Sequence, residues 1–443
     1  NYLVDIDGDG DLDMLSALSV DDKITWYENF DSQEVAFVPD DKFEQVLIDL
    51  DYDDTLDDYV LTENISGVTS LDVSQKEISD LTGIEGFSAL EFLYCENNQL
   101  NSLDLSNNSA LLELNVAHSQ LESLDVSNST SLELLDCYGN NLTSLDVSSN
   151  TALINLNCPE NQLTALDVSN NTSLITLECN DNQLTSLDPS ANTALTWLKC
   201  NHNQLTSLDV SSNTALTDLY CYTNALTSLD VSANTALTYL NISDNELTSL
   251  DVSNNSVLDE LHCYENELTS LDMSANTALT KLILYRNELT SLDLSANTAL
   301  EELICFSNQL TSLDMSANTA LGWLRCQENQ LTGLDLSSNT ALTGLICFNN
   351  QLTYLNMKNG ITDQLTIFDA TDNSLTCIEV NADDVAYATA NWTSADNEID
   401  AGVTFSESCV VQGNPDYTYV PDNNFEQALI DLGYDDTLDD FVL

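Results

Sequence analysis

The chain has 443 residues, 43% of them hydrophobic, with only 13 glycines and 5 prolines; this excludes collagen-like and disordered classes, and the length exceeds what one compact core holds. Its 74 Asp and Glu against 8 Lys and Arg give a net charge of −66, which repels nucleic-acid phosphates and anionic lipid headgroups and leaves cationic or neutral partners. No apolar run approaches the roughly 20 residues of a membrane helix, so direct membrane insertion is not expected, and Asn1 to Asp13 lacks the basic and apolar regions of a signal peptide.

The first element in chain order is an acidic loop. Asp5, Asp7, Asp9 and Asp13 fall at loop positions 1, 3, 5 and 9 and bring hard oxygens around one cation; Gly10 permits the sharp turn and Asp11 adds its carbonyl. Ca2+ is the cofactor that suits such a set, and the competing reading is an acidic surface loop. An EF-hand would carry Glu at position 12, where Ser16 stands. With Lys23-Ile24-Thr25-Trp26-Tyr27-Glu28-Asn29 the loop resembles one blade of an FG-GAP or VCBS-type β-propeller, and residues 1–35 are expected to be part of such a blade.

Next comes Val38-Pro39-Asp40, followed by Phe43, Val46, Leu47 and Leu50 at helical i, i+3, i+4, i+7 spacing. A capping helix is expected there, within an N-terminal cap spanning residues 36–89. From residue 90 a period of 21 takes over, marked by Leu-Asp at Leu103-Asp104, Leu124-Asp125, Leu145-Asp146 and onward to Leu334-Asp335. One coil, Leu153 to Thr172, reads LINLNCPENQLTALDVSNNT. Leu156-Asn157-Cys158 and Leu166-Asp167-Val168 alternate in, out, in, the period-2 signature of two short strands. A coil this small cannot shelter its own apolar side chains, so neighbours must stack in parallel at about 4.8 Å. The fold class expected is mainly β, a solenoid over residues 90–360 with two short parallel β-sheets. Its 13 coils, counted from Cys95 to Cys347, give a rod roughly 62 Å long.

The pattern L-x-x-L-x-C-x-x-N-x-L-x-x-L-D-V-x-x-N resembles leucine-rich repeats, most closely the short IRREKO-type class of bacterial surface proteins. That resemblance implies a right-handed, nearly straight or gently twisted solenoid with no convex-side helix, on a secreted or cell-surface protein.

Several columns recur along the array. Asn98, Asn140, Asn161 and Asn182 through Asn350, and Asn108, Asn150 and Asn171 through Asn339, mark two corners, where Asn tolerates left-handed backbone and hydrogen-bonds the turn. Ten cysteines, from Cys95 to Cys347, share one slot; Val116, Ile242 and Leu284 occupy it in other coils, so the slot needs a small apolar group rather than a thiolate metal ligand. The Asp104 to Asp335 column faces outward, with serine donors or loosely held cations as alternative compensations for its charge. Beyond the array, residues 361–415 break the period and hold the two remaining cysteines, Cys377 and Cys409, expected to pair in a C-terminal cap. Residues 416–443 repeat the cap helix from Val420 on, 382 positions after Val38, as if a second module began and both chain ends were cut from something longer.

The strand face is where coils differ. It carries Trp197, Tyr220, Tyr222, Tyr239, His262, Tyr264, Tyr285, Arg286, Phe306, Trp323 and Arg325, aromatic and basic groups on a rod otherwise covered by Ser, Thr and Asp. The histidines have neither a nucleophile in a strained turn nor zinc-like spacing, so no enzyme is expected. The leading reading is a non-catalytic adhesion or recognition module that binds an extracellular protein or glycan, or neighbouring modules, through this face. Rings stacked only for stability, in a structural spacer or filament segment, are the alternative. An ice-binding surface is disfavoured by the hydrated Asp ladder.

Overall fold

The computed structural model describes residues 34–409 throughout. Outside them it describes the backbone of strands Tyr2–Val4, Asp13–Leu18, Lys23–Tyr27, Thr418–Tyr419 and Phe441–Val442, and the single positions Gln427 and Leu429. Asp5, Asp7, Asp9 and Asp11 of the expected calcium loop lie outside the described residues, as does the side chain of Asp13 and most of the segment 416–443. The chain divides into two compact units, Asn1–Ser173 and Leu174–Leu443.

In the first unit Tyr2–Val4, Asp13–Leu18 and Lys23–Tyr27 form an antiparallel sheet. Val35–Phe37 then pairs with Tyr59–Leu61 around the helix Asp41–Asp49. Asp40 caps that helix, one carboxylate oxygen accepting from the Lys42 and Phe43 amides at 3.0 and 3.2 Å. Its other oxygen accepts from the Ser79 amide and hydroxyl, both at 2.8 Å, so one side chain both starts the helix and ties it to the segment leading into the coils. Phe43, Val46 and Leu47 are buried as their spacing requires, but Leu50 ends the helix and is 43% exposed. Strands Ser70–Asp72, Phe92–Tyr94, Glu113–Asn115, Leu134–Asp136 and Asn155–Asn157 follow as a parallel ladder in register.

The second unit continues the same construction from Thr176–Glu178 to Trp323–Arg325, then Gly344–Ile346 and Ile367–Asp369. A second parallel sheet joins Gly333–Asp335, Tyr354–Met357, Cys377–Val380 and Thr404–Ser406. It is confined to these four strands. In earlier coils of the unit the corresponding leucines, Leu208, Leu229, Leu250, Leu271 and Leu292, are 7% to 9% exposed, against 0% for Leu334 and Leu355 where the ladder forms. In the earlier coils no ladder forms on this side, and a groove of about 280 Å³ lies between Ser270–Ser274 and Ser291–Ser295. The disulfide Cys377–Cys409, Cα atoms 5.7 Å apart, closes the C-terminal region, where buried Trp392 stacks on Phe368 at 4.1 Å.

A solenoid of this kind is a parallel ladder on one side and a stack of buried polar corners on the others. Asn245 shows how one corner is held. Its Nδ2 donates to the carbonyls of Cys221, Ile242 and Ser243, each at 3.1 Å, while its Oδ1 accepts from the Leu226 amide at 3.0 Å. At the other corner Asn234, fully buried, donates to Val210 and Asn213 carbonyls at 2.9 and 2.8 Å. Asn245 thus bonds backbone groups in its own coil and in the preceding one, and Asn234 bonds two carbonyls of the preceding coil, which ties neighbouring coils together at both corners. The ten array cysteines are free and fully buried, as are Val116, Ile242 and Leu284 in the same slot.

Candidate functional site

In most ladder strands of the second unit from Thr176 to Arg325 the middle residue is buried in the core and the first and third stand on the outer face in partial contact with solvent; Asn241 is the buried exception. Because register is strict, a side chain at one of these positions lies beside its counterpart 21 residues away and diagonally across from the other outer position of the neighbouring strand, 19 or 23 residues away, both within reach of aromatic rings. Trp197 and Tyr220 have ring centroids 5.2 Å apart, Tyr220 and Tyr239 4.6 Å, and Tyr239 and His262 5.3 Å. Two residues further along each coil a second run forms, with Tyr264 on Tyr285 and Tyr285 on Phe306, both at 4.4 Å and nearly parallel. Arg325 places its guanidinium 5.0 Å from the Phe306 ring. Tyr222 meets His202 edge-on at 5.1 Å. Trp323 lies over the following coil: a Cβ on Gly344 would stand 2.1 Å from Trp323 Cζ3, so only glycine there accommodates the indole.

The structure therefore brings most of the expected residues into two runs, with Arg325 on the end of the second, and leaves Tyr222, Arg286 and Trp323 outside them. It also shows partners that had not been singled out. Lys199 pairs with Glu178 at 3.3 Å, Lys281 pairs with Glu302 at 2.8 Å, and Arg286 pairs with Glu265. Glu178 further accepts from the Trp197 indole N–H at 3.1 Å. Each ionic pair joins positions 21 apart, so opposite charges one period apart were the signal that would have found them. Lys199 also sits 4.9 Å from the Trp197 ring centroid and 5.4 Å from that of Tyr220. His262 lies 3.4 Å from Glu260, and burial holds its imidazole below the ordinary histidine range, so it stands neutral at physiological pH. Burial and neighbouring phenol and carboxylate groups push the Tyr220 hydroxyl up to about 12.

The opposite face is chemically uniform. Asp146 accepts from the Ser148 amide at 2.9 Å, and the Ser148 hydroxyl and amide hold its carboxyl below the usual range; Asp167, Asp209, Asp230 and Asp251 are held down in the same way by Ser169, Ser211, Ser232 and Ser253. The buried thiols offer no nucleophile, since burial pushes Cys221 and Cys263 up to about 12. Among the described residues, Asp41, Glu44 and Asp58 bring carboxylate oxygens within 4.8 Å of one another, at the cap helix rather than on the strand face.

No family model and no curated protein matches the chain. Solved structures do. The functional domain of InlJ from Listeria monocytogenes, whose description includes a cysteine ladder, is 35% identical over 76% of this chain and 82% of that one, with a TM-score of 0.67. A leucine-rich-repeat protein of Leptospira interrogans, 23% identical over 76% and 97%, superimposes with a TM-score of 0.60. An internalin, InlF of Listeria monocytogenes, is 22% identical over 77% and 91% with a TM-score of 0.55. These two share the fold; the first also shares sequence, and ten cysteines stacked in one buried slot are the counterpart here of its ladder. On that identity and coverage, the chain belongs to the bacterial leucine-rich-repeat proteins that include InlJ of Listeria monocytogenes.

Proposed function

We propose that the strand face of the second unit is a protein-recognition surface, in an adhesion module of a secreted or cell-surface bacterial protein. The observation that carries this reading is the pair of ring runs from Trp197 to His262 and from Tyr264 to Phe306, on a face where composition changes from coil to coil. Large rings lose little side-chain entropy on binding and supply much contact area, whereas the repeated Ser-Leu-Asp-Val-Ser face offers the same chemistry at every coil. The leucine-rich-repeat neighbours supply the precedent of a recognition scaffold without catalysis. Trp197→Ala, Tyr239→Ala and Trp323→Ala combined should abolish adhesion of the module to its native surface with the melting temperature little changed, since all three lie outside the core. Undiminished adhesion of the folded variant would place recognition elsewhere and favour the spacer reading, in which stacked rings only stiffen the ladder. A further proposal concerns the N-terminal loop: the spacing of Asp5, Asp7, Asp9 and Asp13, with the Asp11 carbonyl, supports Ca2+ binding there.

A further inference from the structure

The ring runs sit in a field of one sign. On the strand face of the second unit the basic groups Lys199, Lys281 and Arg286 are each already matched by a carboxylate, and Arg325 is laid over a ring. Asp218, Glu260, Asp181, Asp244 and Glu328 have no cation partner there among the described residues. Asp218 accepts only from the Thr217 hydroxyl at 2.7 Å, Asp181 from the Asn180 amide at 2.7 Å, and Glu260 faces a neutral imidazole. Asp218 and Glu260 bracket the Tyr220–Tyr239 stack, each in a strand paired to that of Tyr239. The rings themselves already hold cations: an ammonium between Trp197 and Tyr220, and a guanidinium on Phe306. Such an arrangement of π-faces and unspent carboxylates is complementary to positive charge and hostile to anions.

Building on the recognition reading above, we propose that the occupant of this face is a protein segment bearing several lysines or arginines. A single small amine covers one ring. The two runs follow one another along the coils, the first from Trp197 to His262 and the second from Tyr264 to Phe306, meeting in the coil that holds His262 and Tyr264, and each advances about 4.8 Å per coil. Filling both with cations takes a chain that presents basic side chains repeatedly over that span. Charge on the second unit as a whole does not produce this preference, because the face of Asp209, Asp230 and Asp251 carries as regular a row of carboxylates and no rings.

The test uses the full chain and two fluorescent octapeptides, alternating Arg-Ala and alternating citrulline-Ala; the second keeps the shape and hydrogen bonding but not the charge. Titrations at physiological salt are expected to show the arginine peptide binding about tenfold more tightly or better. Asp218→Asn with Glu260→Gln, and separately Trp197→Leu with Tyr239→Leu, should each weaken the arginine peptide about five- to tenfold. Asp209→Asn with Asp230→Asn and Asp251→Asn, which removes more charge from the opposite face, should leave it within about twofold. Equal binding of the two peptides, or equal weakening by the opposite-face variant, overturns the proposal. Those failures are separate from failure of the recognition reading, which is scored by adhesion of the triple alanine variant and uses no peptide. Thermal melts matching the parent confirm that each variant is folded.

Discussion

At the scale of single residues the corner asparagines do more than the leucines to define the coil, because they alone answer for backbone groups that the turns cannot pair. Asn245 makes four hydrogen bonds that link two coils, and the residue before it, Asp244, is held in the left-handed region at φ 51°. Asn245→Ala leaves the buried Leu226 amide without its acceptor, while the three carbonyls keep other donors in Asn224, Asn266 and the Thr223 amide. A buried group left unmade costs about 1–3 kcal/mol, so the variant should lose about 2 kcal/mol, read as a lowered denaturation midpoint. Glu246→Ala, exposed beside it, should stay within about 0.5 kcal/mol of the parent. Similar losses from the two variants would show that the corner hydrogen bonds contribute little. The left-handed position itself accepts His202, Thr223, Glu265, Arg286 and Ser307 in successive coils, and His118 where Ser119 replaces the Asn, which shows that the stacked coil and not local propensity sets the turn.

At the scale of elements, the C-terminal segment is where the repeat stops and a covalent link takes over. Cys377 begins a strand of the second sheet and is bonded to Cys409, 32 residues on, just beyond the edge strand Thr404–Ser406. Restricting a loop of that length stabilises the folded segment by about 4 kcal/mol. Reduction under native conditions should therefore raise hydrogen exchange in Thr404–Ser406 and around Trp392 first, leaving Thr176–Lys199 protected; unchanged exchange at the edge strand would argue that Phe368 and Trp392 hold the cap without the bond. The helix at Asp41–Asp49, the disulfide and the buried thiols were legible in sequence, because each rests on a local rule: apolar spacing after a proline, an unpaired couple of cysteines, one slot shared by Cys, Val and Leu. Two features were harder. Alternation at Leu156-Asn157-Cys158 marks which side chains point inward, but the ladder runs over Asn155–Asn157, since pairing is decided by backbone hydrogen bonds and not by the inward set. The second sheet was expected at every coil from the Leu-Asp-Val alternation, yet its ladder is present from Gly333 onward, because alternation marks which side chains point inward and does not by itself align backbone groups for pairing. On the recognition face the rings were legible as variable columns, while the ion pairs that neutralise Lys199, Lys281 and Arg286 required the register that puts positions 21 apart side by side.

At the scale of the whole molecule the net charge of −66 is the dominant long-range term. Like charges spread over the surface repel in the folded state, and added salt shortens the range of that repulsion to about 10 Å at 0.1 M and about 3 Å at 1 M. The melting temperature should therefore rise by several degrees between low and high NaCl; a fall would mean that the attractive pairs, such as Lys281–Glu302, outweigh the repulsion. Neither salt nor sequence variation on the outer face touches the corner asparagines, whose bonds recur in closely similar form from coil to coil in the second unit. That recurrence makes the coil a unit of inheritance. Removing residues 217–237, for instance, would set Thr238 after Leu216, with every inward side chain and every corner bond finding an equivalent partner. Unequal crossing-over in steps of 21 codons can thus lengthen or shorten the array at almost no cost to folding, so that reach and surface character are open to selection while the interior stays the same.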